Sequence, residues 1–373
     1  MYENERTATP QEKPNQVYGS YDAIIIGGGI AGCSAALAAR RHGLKTLLVE
    51  KLTVLGGLAT TGHIALYLAL DDGHGKLVMS GIPEELFLLS TKYVYNGWDY
   101  TRWTDPTNDL RYECKFNAPA FALALEELLL SEGIEILYDS LFVDSKTNGN
   151  HVEGIYIENK SGRCYLETKT VVDATGDADL FMREGKECYA EKNSLAFWNY
   201  AVNSAGPYIM GTRLGSDVGG LELFSIGRID KKAAKHIVEE PYYGDSAKDV
   251  NRFLLDGHKE VLTYMQDHPD YIPASLPGIA QIRKARRIEG KYTLSDKDAN
   301  LHFEDNIGGS GDWRRPGNDY EVPFQALYGD LDNVLTAGRS ISAAGEAWEI
   351  MRCIPEAAMT GQAAGTACAL LLE

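Results

Sequence analysis

Gly27, Gly29 and Gly32 stand at the G-x-G-x-x-G spacing of a phosphate-binding turn, and Glu50 closes the apolar run that follows. These residues suit binding rather than bond-making. The first glycine permits a tight turn, the second lets a pyrophosphate approach the backbone, and the third lets the next helix pack on the strand. That helix, opening at Ile30 and Ala31, presents free N–H groups to the phosphates. Glu50 can hold both ribose hydroxyls, with Lys51 beside it.

A second glycine pair, Gly56 and Gly57, lets backbone approach a ligand in the run Gly57, Leu58, Ala59 and Thr60. His63 follows this loop and is the first acid/base candidate, although a neutral core or surface histidine fits equally well. Arg283, Arg286, Arg287, Arg314, Arg315 and Arg352 could clamp a carboxylate or other anion. At least half are expected to be structural ion-pair partners instead. The catalytic set drawn from these residues is His63, Arg283, Arg287 and Arg314, with Tyr320 and Glu346 as lesser candidates.

The turn needs a strand before it and a helix after it. Ile24 to Ile26 is a short β-branched run of the kind that makes a buried parallel strand, and an alanine-rich helix runs on to Gly43. Thr46 to Val49 is a second buried strand. Ile82 to Tyr93 is helical with Pro83 near its start, while the polar stretch Asn96 to Leu110, with Trp98 and Trp103, has no assigned structure. Asn117 caps a further helix that ends at Gly133, and Ile134 to Tyr138 is a strand. Leu141 to Ser145, Val152 to Glu158 and Arg163 to Thr168 alternate as an antiparallel meander. Val171 and Val172 begin a separate buried strand leading into Asp173-Ala174-Thr175-Gly176-Asp177. Ile279 to Tyr292 is helical by spacing. Asn333 to Arg339 is a strand stopping at glycine, Ser340 to Ile354 a loop, and Pro355 opens a last helix in which Gly361 and Gly365 mark close packing.

The chain has 373 residues, 44% hydrophobic and 24% charged, enough for two domains or one large domain with an insertion. A net charge of −17 argues against nucleic acid and against docking on an anionic membrane. No transmembrane helix is expected, because the most apolar run is already accounted for by the glycine turn. The six cysteines show no C-x-x-C and no metal spacing, which fits a reducing cytoplasm.

Taken together, these segments resemble the FAD-dependent oxidoreductases with the glutathione-reductase type of FAD-binding fold. The opening GGGIAG with Glu50, the central DATGD and the terminal NVLTAGR before a small-residue helix occur in that family's order. GGLATTG, IRKARRIEGKY and the run DWRRPGNDYEVPFQAL to GRSISAAGEAWEIMRCIPEAAMTGQAAGTA further resemble a bacterial FAD-dependent oxidoreductase family of unassigned substrate. The resemblance covers most of the chain and thins between Asn193 and Pro273. It implies an α/β fold: a Rossmann-like FAD-binding domain with a parallel sheet and β-meander, plus an inserted α+β substrate domain. The expected division is a disordered lead-in over 1–19, the FAD-binding domain over 20–185 and 322–373, and the insert over 186–321.

The same resemblance implies FAD as cofactor. It places Gly27, Gly29, Gly32 and Gly57 to Thr60 along the pyrophosphate and flavin side, and Val143 by the adenine. Ala174, Thr175 and Gly176 would pass close to the cofactor, Gly338 and Arg339 would approach the ribityl chain, and Ile354 would face the flavin pyrimidine. The chain lacks the redox C-x-x-C and second G-x-G-x-x-G of the disulfide reductases, so an external electron acceptor or donor is expected. The implied activity is hydride transfer between a small polar organic molecule, an anion among the options, and flavin, with dehydrogenase or oxidase ahead of reductase. An enoate reductase like the fumarate reductases, an electron-transfer flavoprotein subunit and a homo-oligomer stay open. A flavin-dependent RNA-modifying enzyme is disfavoured by charge.

Overall fold

The computed structural model describes residues 17–93, 113–203, 221–227, 229–230, 235–236 and 240–373. Residues 1–16 of the expected lead-in, and Asn96 to Leu110, lie outside the described residues. The first strand, β1 (Val17–Ile26), already occupies the end of that lead-in, because Val17 to Thr168-facing Tyr21 pair with a neighbouring strand. Its last four residues are buried, as an apolar run between two other strands requires. Helix α1 (Ile30–Arg41) follows directly and is alanine-rich, and Gly43 at φ +88° ends it.

β2 (Thr46–Val49) pairs parallel with β1. β3 (Leu66–Leu68), α2 (Ile82–Thr91) and β4 (Glu113–Lys115) follow, with β3 and β4 forming an antiparallel pair. In α3 (Ala118–Ser131), Asn117 Oδ1 accepts from the Ala120 N–H at 2.9 Å, so the cap is made by the residue whose type favours it. β5 (Glu135–Leu137) then joins β2 in parallel.

β6 (Leu141–Asn148), β7 (His151–Asn159) and β8 (Gly162–Asp173) form the meander. Here one expectation is corrected. The alternating run 163–168 and the apolar Val171-Val172 are one strand, and the change of pattern marks a change of partner. The alternating half of β8 pairs antiparallel with β7 on one side, whereas Val171 to Asp173 lie between β1 and, in parallel, β18 (Val334–Thr336). The result is a seven-stranded sheet in the order β5-β2-β1-β8-β7-β6, with β18 also on β8.

After β8 come α4 (Asp179–Arg183), β9 (Cys188–Tyr189), β10 (Ala196–Asn203) and β11 (Leu221–Gly227), then the short pair β12 (Ile229–Asp230) and β13 (Lys235–His236). α5 (Ala247–Asp267), β14 (Tyr271–Ser275) and β15 (Arg287–Ile288) complete this stretch. β11-β10-β14 is a second, antiparallel sheet, and Phe197, Phe253, Val261 and Ile282 form a small core between it and α5. This core is smaller than the expected insert over 186–321. Leu294 and Tyr320, both inside that range, pack in the core of the large sheet.

The expected helix from Ile279 to Tyr292 is absent: the segment is irregular apart from β15. Its backbone is used for bridging. The N–H groups of Arg283 and Lys284 both donate to Asn193 Oδ1, at 3.2 and 2.9 Å, and the Lys284 carbonyl accepts from Glu191. Local spacing cannot report bonds to residues so far away in the chain.

β16 (Asn306–Gly311) and β17 (Asp319–Pro323) form a hairpin before β18. The expected loop from Ser340 to Ile354 contains a helix, α6 (Gly345–Met351), whose Ala347, Trp348, Ile350 and Met351 are buried. Its capping carboxylate comes from elsewhere, as Asp296 Oδ1 accepts from the Glu346 and Ala347 N–H groups. The last helix, α7 (Ile354–Leu370), lies against α1. No helix of the described residues is long and apolar enough to cross a membrane.

The α1–α7 seam is a contact of backbones. A Cβ on Gly361 would overlap the Ala31 carbonyl, and one on Gly365 the Ala35 carbonyl. Replacing Gly361 with valine therefore forces the helices apart, and urea unfolding should show a loss of about 1–3 kcal/mol, the usual cost of overpacking a close-packed core.

Candidate functional site

A cavity of about 480 Å³ opens where the C-terminal ends of β1, β2, β8 and β18 meet the N-termini of α1 and α7. Crevices at the carboxyl ends of such strands are where open α/β sheets bind ligands. Two rules of local geometry keep the space clear. Gly27 sits at φ +102° with the Ala174 carbonyl where a Cβ would be, and a Cβ on Gly32 would overlap the Gly27 carbonyl. Gly29 differs: it has ordinary extended geometry, and a Cβ there would meet nothing within 4 Å. The space beside Gly29 is thus open cavity, wide enough for another group to approach the backbone.

Glu50 is buried and lies in the wall. Its carboxylate already accepts from the N–H groups of Gly28, at 2.5 Å, and Leu52, at 2.7 Å, which ties the glycine turn to the end of β2. Each oxygen retains a lone pair for a ligand hydroxyl. Lys51, Gly57, Leu58 and Ala59 continue the wall on that side. The bridge between Gly29 and Gly56, with Gly56 N–H donating to Gly28 at 2.8 Å, holds the two glycine loops together.

The opposite wall is made by Ala174, Thr175, Gly176, Gly338 and Arg339. Asp173 organises it from behind, accepting from Thr175 N–H and Oγ1 and from Leu180 N–H. Burial pushes its carboxyl up to about 6, with those hydrogen bonds opposing. Arg339 Nε donates to the Gly176 carbonyl at 2.6 Å and its Nη2 to Asp177 at 2.8 Å, so its guanidinium lies flat along Gly176. α1 and α7 both begin without a side-chain cap, at Gly29 and Cys353, and Ile30, Ala31 and Ile354 stand in the wall. Two uncapped helix ends offer N–H groups and partial positive charge to one cavity. An elongated ligand with a pyrophosphate and two polar ends fits this set.

Several candidates lie elsewhere. Gly32 and Thr60 are not in the wall: Gly32 serves helix packing, and Thr60 Oγ1 donates to the Leu55 carbonyl. Val143 is also out, because the strand start Ser140, Leu141 and Phe142 supplies the wall there. His63 is buried away from it at φ +56°, with Nε2 3.2 Å from Ser275 Oγ and its ring edge-on to Tyr200 at 4.9 Å. Burial lowers its pKa to about 4, so the ring is neutral at neutral pH, and its contacts are with β14 and β10 of the smaller sheet.

Arg287 and Arg314 are ion-pair residues. Arg287 is buried against Tyr189 and reaches Glu289 at 3.2 Å, while Arg314 is 2.9 Å from Glu346. Arg286 pairs with Asp179, and Arg315 with Glu346. Arg283 is the exception. It makes one side-chain bond, from Nη1 to the Gln281 carbonyl at 2.9 Å, and has no carboxylate partner among the described residues. Burial first, then the nearby charges of Arg352 and Arg339, lower its pKa to about 9, so it remains a cation at neutral pH.

Sequence reasoning missed the part of the wall contributed by α5 and the segments flanking the smaller sheet: Gly244, Val250, Leu254, Ile279 and Ile282. Val250 and Leu254 are one turn apart on α5, whereas Ile279 and Ile282 are brought there by the bridging of 278–285 to distant residues. Gly278 N–H donates to the Thr61 carbonyl at 2.9 Å, and Gln281 Nε2 to the Gly62 carbonyl at 2.6 Å. Among the described residues no group of three or more His, Cys, Asp or Glu could hold a metal.

The family model described as FAD dependent oxidoreductase matches residues 22–199 and 245–373. A digeranylgeranylglycerophospholipid reductase of Picrophilus torridus is 27% identical over 177 residues, 44% of this chain and 41% of the relative. The tRNA uridine 5-carboxymethylaminomethyl modification enzyme of Borreliella burgdorferi is 28% identical over 256 residues, 64% of this chain and 37% of the relative. The chain thus spans less than half the length of these curated relatives. Among solved structures, a flavin-dependent brominase superposes with a TM-score of 0.51 at 15% identity, over 95% of this chain and 79% of that one, a likeness of fold.

The glycines separate experimentally. Gly29→Ala should leave stability unchanged or raise it by about 0.4–1 kcal/mol, as glycine replacement at a compatible conformation does, while reducing retained flavin at least tenfold. Gly27→Ala should lower both. Thermal melts of the apoprotein and flavin absorbance of the purified protein check the pair.

Proposed function

The chain belongs to the FAD dependent oxidoreductase family, and on that premise we propose that it transfers a hydride between a small anionic organic substrate and FAD. When bound, FAD supplies a hydride acceptor at flavin N5. The glycine turn and Glu50 would hold its pyrophosphate and adenosine ribose. Thr175, Gly176, Gly338 and Arg339 would lie along the ribityl chain, and the N-terminus of α7 beside the flavin ring.

Arg283 is the observation that supports an anionic substrate. Three guanidinium groups, Arg283, Arg339 and Arg352, influence one another at this end of the molecule; Arg339 and Arg352 stand in the cavity wall and Arg283 outside it. Arg339 is matched by Asp177, and Arg352 by Glu349 through both Nε and Nη2. Among the described residues Arg283 has no carboxylate partner. A carboxylate on the substrate would relieve that repulsion and gain charge-assisted bonds. Oxidation is the direction favoured here. Enoate reduction is the alternative direction: it needs a proton delivered to carbon, and Arg283, its pKa lowered to about 9, is the cation here closest to giving one. On oxidation the electrons leave to an external acceptor, since the described chain offers neither a cysteine pair nor a second dinucleotide turn.

Purified protein should show flavin absorbance that denaturation releases, and anaerobic bleaching by hydroxy or amino acids but not by their amides. Arg283→Gln should raise the apparent Kd for the bleaching donor about 10- to 100-fold, matching about 1.5–3 kcal/mol for a hydrogen bond to a charged group, with flavin retention unchanged. Equal bleaching by acids and amides would remove the anionic substrate class.

A further inference from the structure

Glu356 is a buried acid with no part in the site as described. It lies in the first turn of α7, about one turn from Cys353 and next in sequence to Ala357, both in the cavity wall, and is 3% exposed. One carboxyl oxygen accepts from Ser310 Oγ at 2.6 Å, and the other has no hydrogen-bond partner among the described residues. A buried carboxylate with an unpartnered oxygen is costly, while its protonated form is not.

The groups around it set the balance. From β3, Tyr67 is fully buried and spends its hydroxyl on the Pro83 carbonyl at 2.7 Å. From β16 comes the Ser310 hydroxyl, which favours the charged form. Arg352, at the end of α6, also favours it but is committed to Glu349. Cys353 at the cap is a thiol pushed up to about 12 by burial. Where α1 meets Gly361 and Gly365 of α7 it contributes the uncharged Ala31, Ser34, Ala35 and Ala38. Burial outweighs these neighbours and places the Glu356 carboxyl at about 7.

We propose that Glu356 is a proton-accepting positioning residue for the flavin end of the cavity, binding a proton when negative charge gathers at the α7 N-terminus and releasing it when that charge leaves. The inference rests on the reading that this helix end lies beside the flavin ring. In the step, a donor loses two electrons and two protons, as a hydride to FAD and a proton to solvent. The Glu356 carboxylate takes one proton from solvent and becomes a carboxylic acid. An ionised carboxylate opposes the positive end of the helix, and a neutral carboxyl does not, so each charge arriving there favours protonation.

The test is the reduction potential of the FAD-loaded protein against pH, measured by dithionite reduction with reference dyes. One extra proton per two electrons steepens the line by about 30 mV per pH unit, the tenfold step of a two-electron couple. The wild type should show such a segment around neutral pH, and Glu356→Gln should lack it. Ser310→Ala, which removes the bond favouring the carboxylate, should move the segment to higher pH, and it serves if the glutamine variant loses FAD. Arg352→Gln should shift the potential at every pH. If that variant shifts it but Glu356→Gln keeps the steep segment, the Glu356 assignment is wrong. If none of the variants alters the potential, α7 does not face the flavin ring and both readings fall.

Discussion

The structure depends on close approach of backbone to backbone around the N-terminus of α1. Gly27 lies under the Ala174 carbonyl, Gly32 against the Gly27 carbonyl, and Gly361 and Gly365 against the carbonyls of Ala31 and Ala35. Any side chain at these contacts would push α1 off the sheet or α7 off α1. Because the elements meet without side chains between them, the ends of β1, β8, β18, α1 and α7 converge closely enough to enclose one cavity. The binding groups are then N–H groups and a few charges held in place by other residues, as Glu50 is held by Gly28 and Leu52.

Charge in the cavity is arranged with the same economy. Most arginines are matched to carboxylates, and the chain's acidity is spread over ion pairs such as Arg286–Asp179 and Arg314–Glu346. Lys284 bridges Glu191 at 2.7 Å and Glu349 at 2.8 Å, and Glu349 in turn holds Arg352. Burial alone would raise Glu349, yet Arg352 and Lys284 outweigh it and hold the carboxyl at about 2. The network ties the smaller sheet's connecting segment to the end of α6. What sits over the cavity is therefore fixed to the helix end that points into it.

The elements visible in the sequence were those whose cause is local. The β1 turn, the Asn117 cap, the end of α1 at Gly43 and the small-residue seam of α7 each follow from residue types at fixed spacing. What escaped detection had distant causes. The helix α6 is capped by Asp296, so its own sequence reads as loop. The segment 279–292 carries a helical spacing of arginines but is held in an irregular path by bonds to Asn193 and to the Gly62 carbonyl. His63 followed the right loop yet turns into the contact with Ser275 and Tyr200, where burial keeps it neutral. Arg283 could be named in advance as a cation; that, of the six candidate arginines, it is the one without a carboxylate partner among the described residues could only be seen in three dimensions.

β8 carries β7 and β18 on one edge, the first from its own neighbourhood and the second from far along the chain. On the ribosome the sheet can form from β5 to β6 while the edge at Val171 to Asp173 stays bare. Gly338, Arg339, Ile354 and Ala357, which wall the cavity, arrive only after β18 has been made. A flavin meeting the nascent chain would find the glycine turn, Glu50 and Ala174 to Gly176, but neither Gly338 and Arg339 nor the end of α7. Cofactor loading is therefore a late event in synthesis, and a chain interrupted before β18 would present an unpaired parallel edge to the chaperones that clear such products.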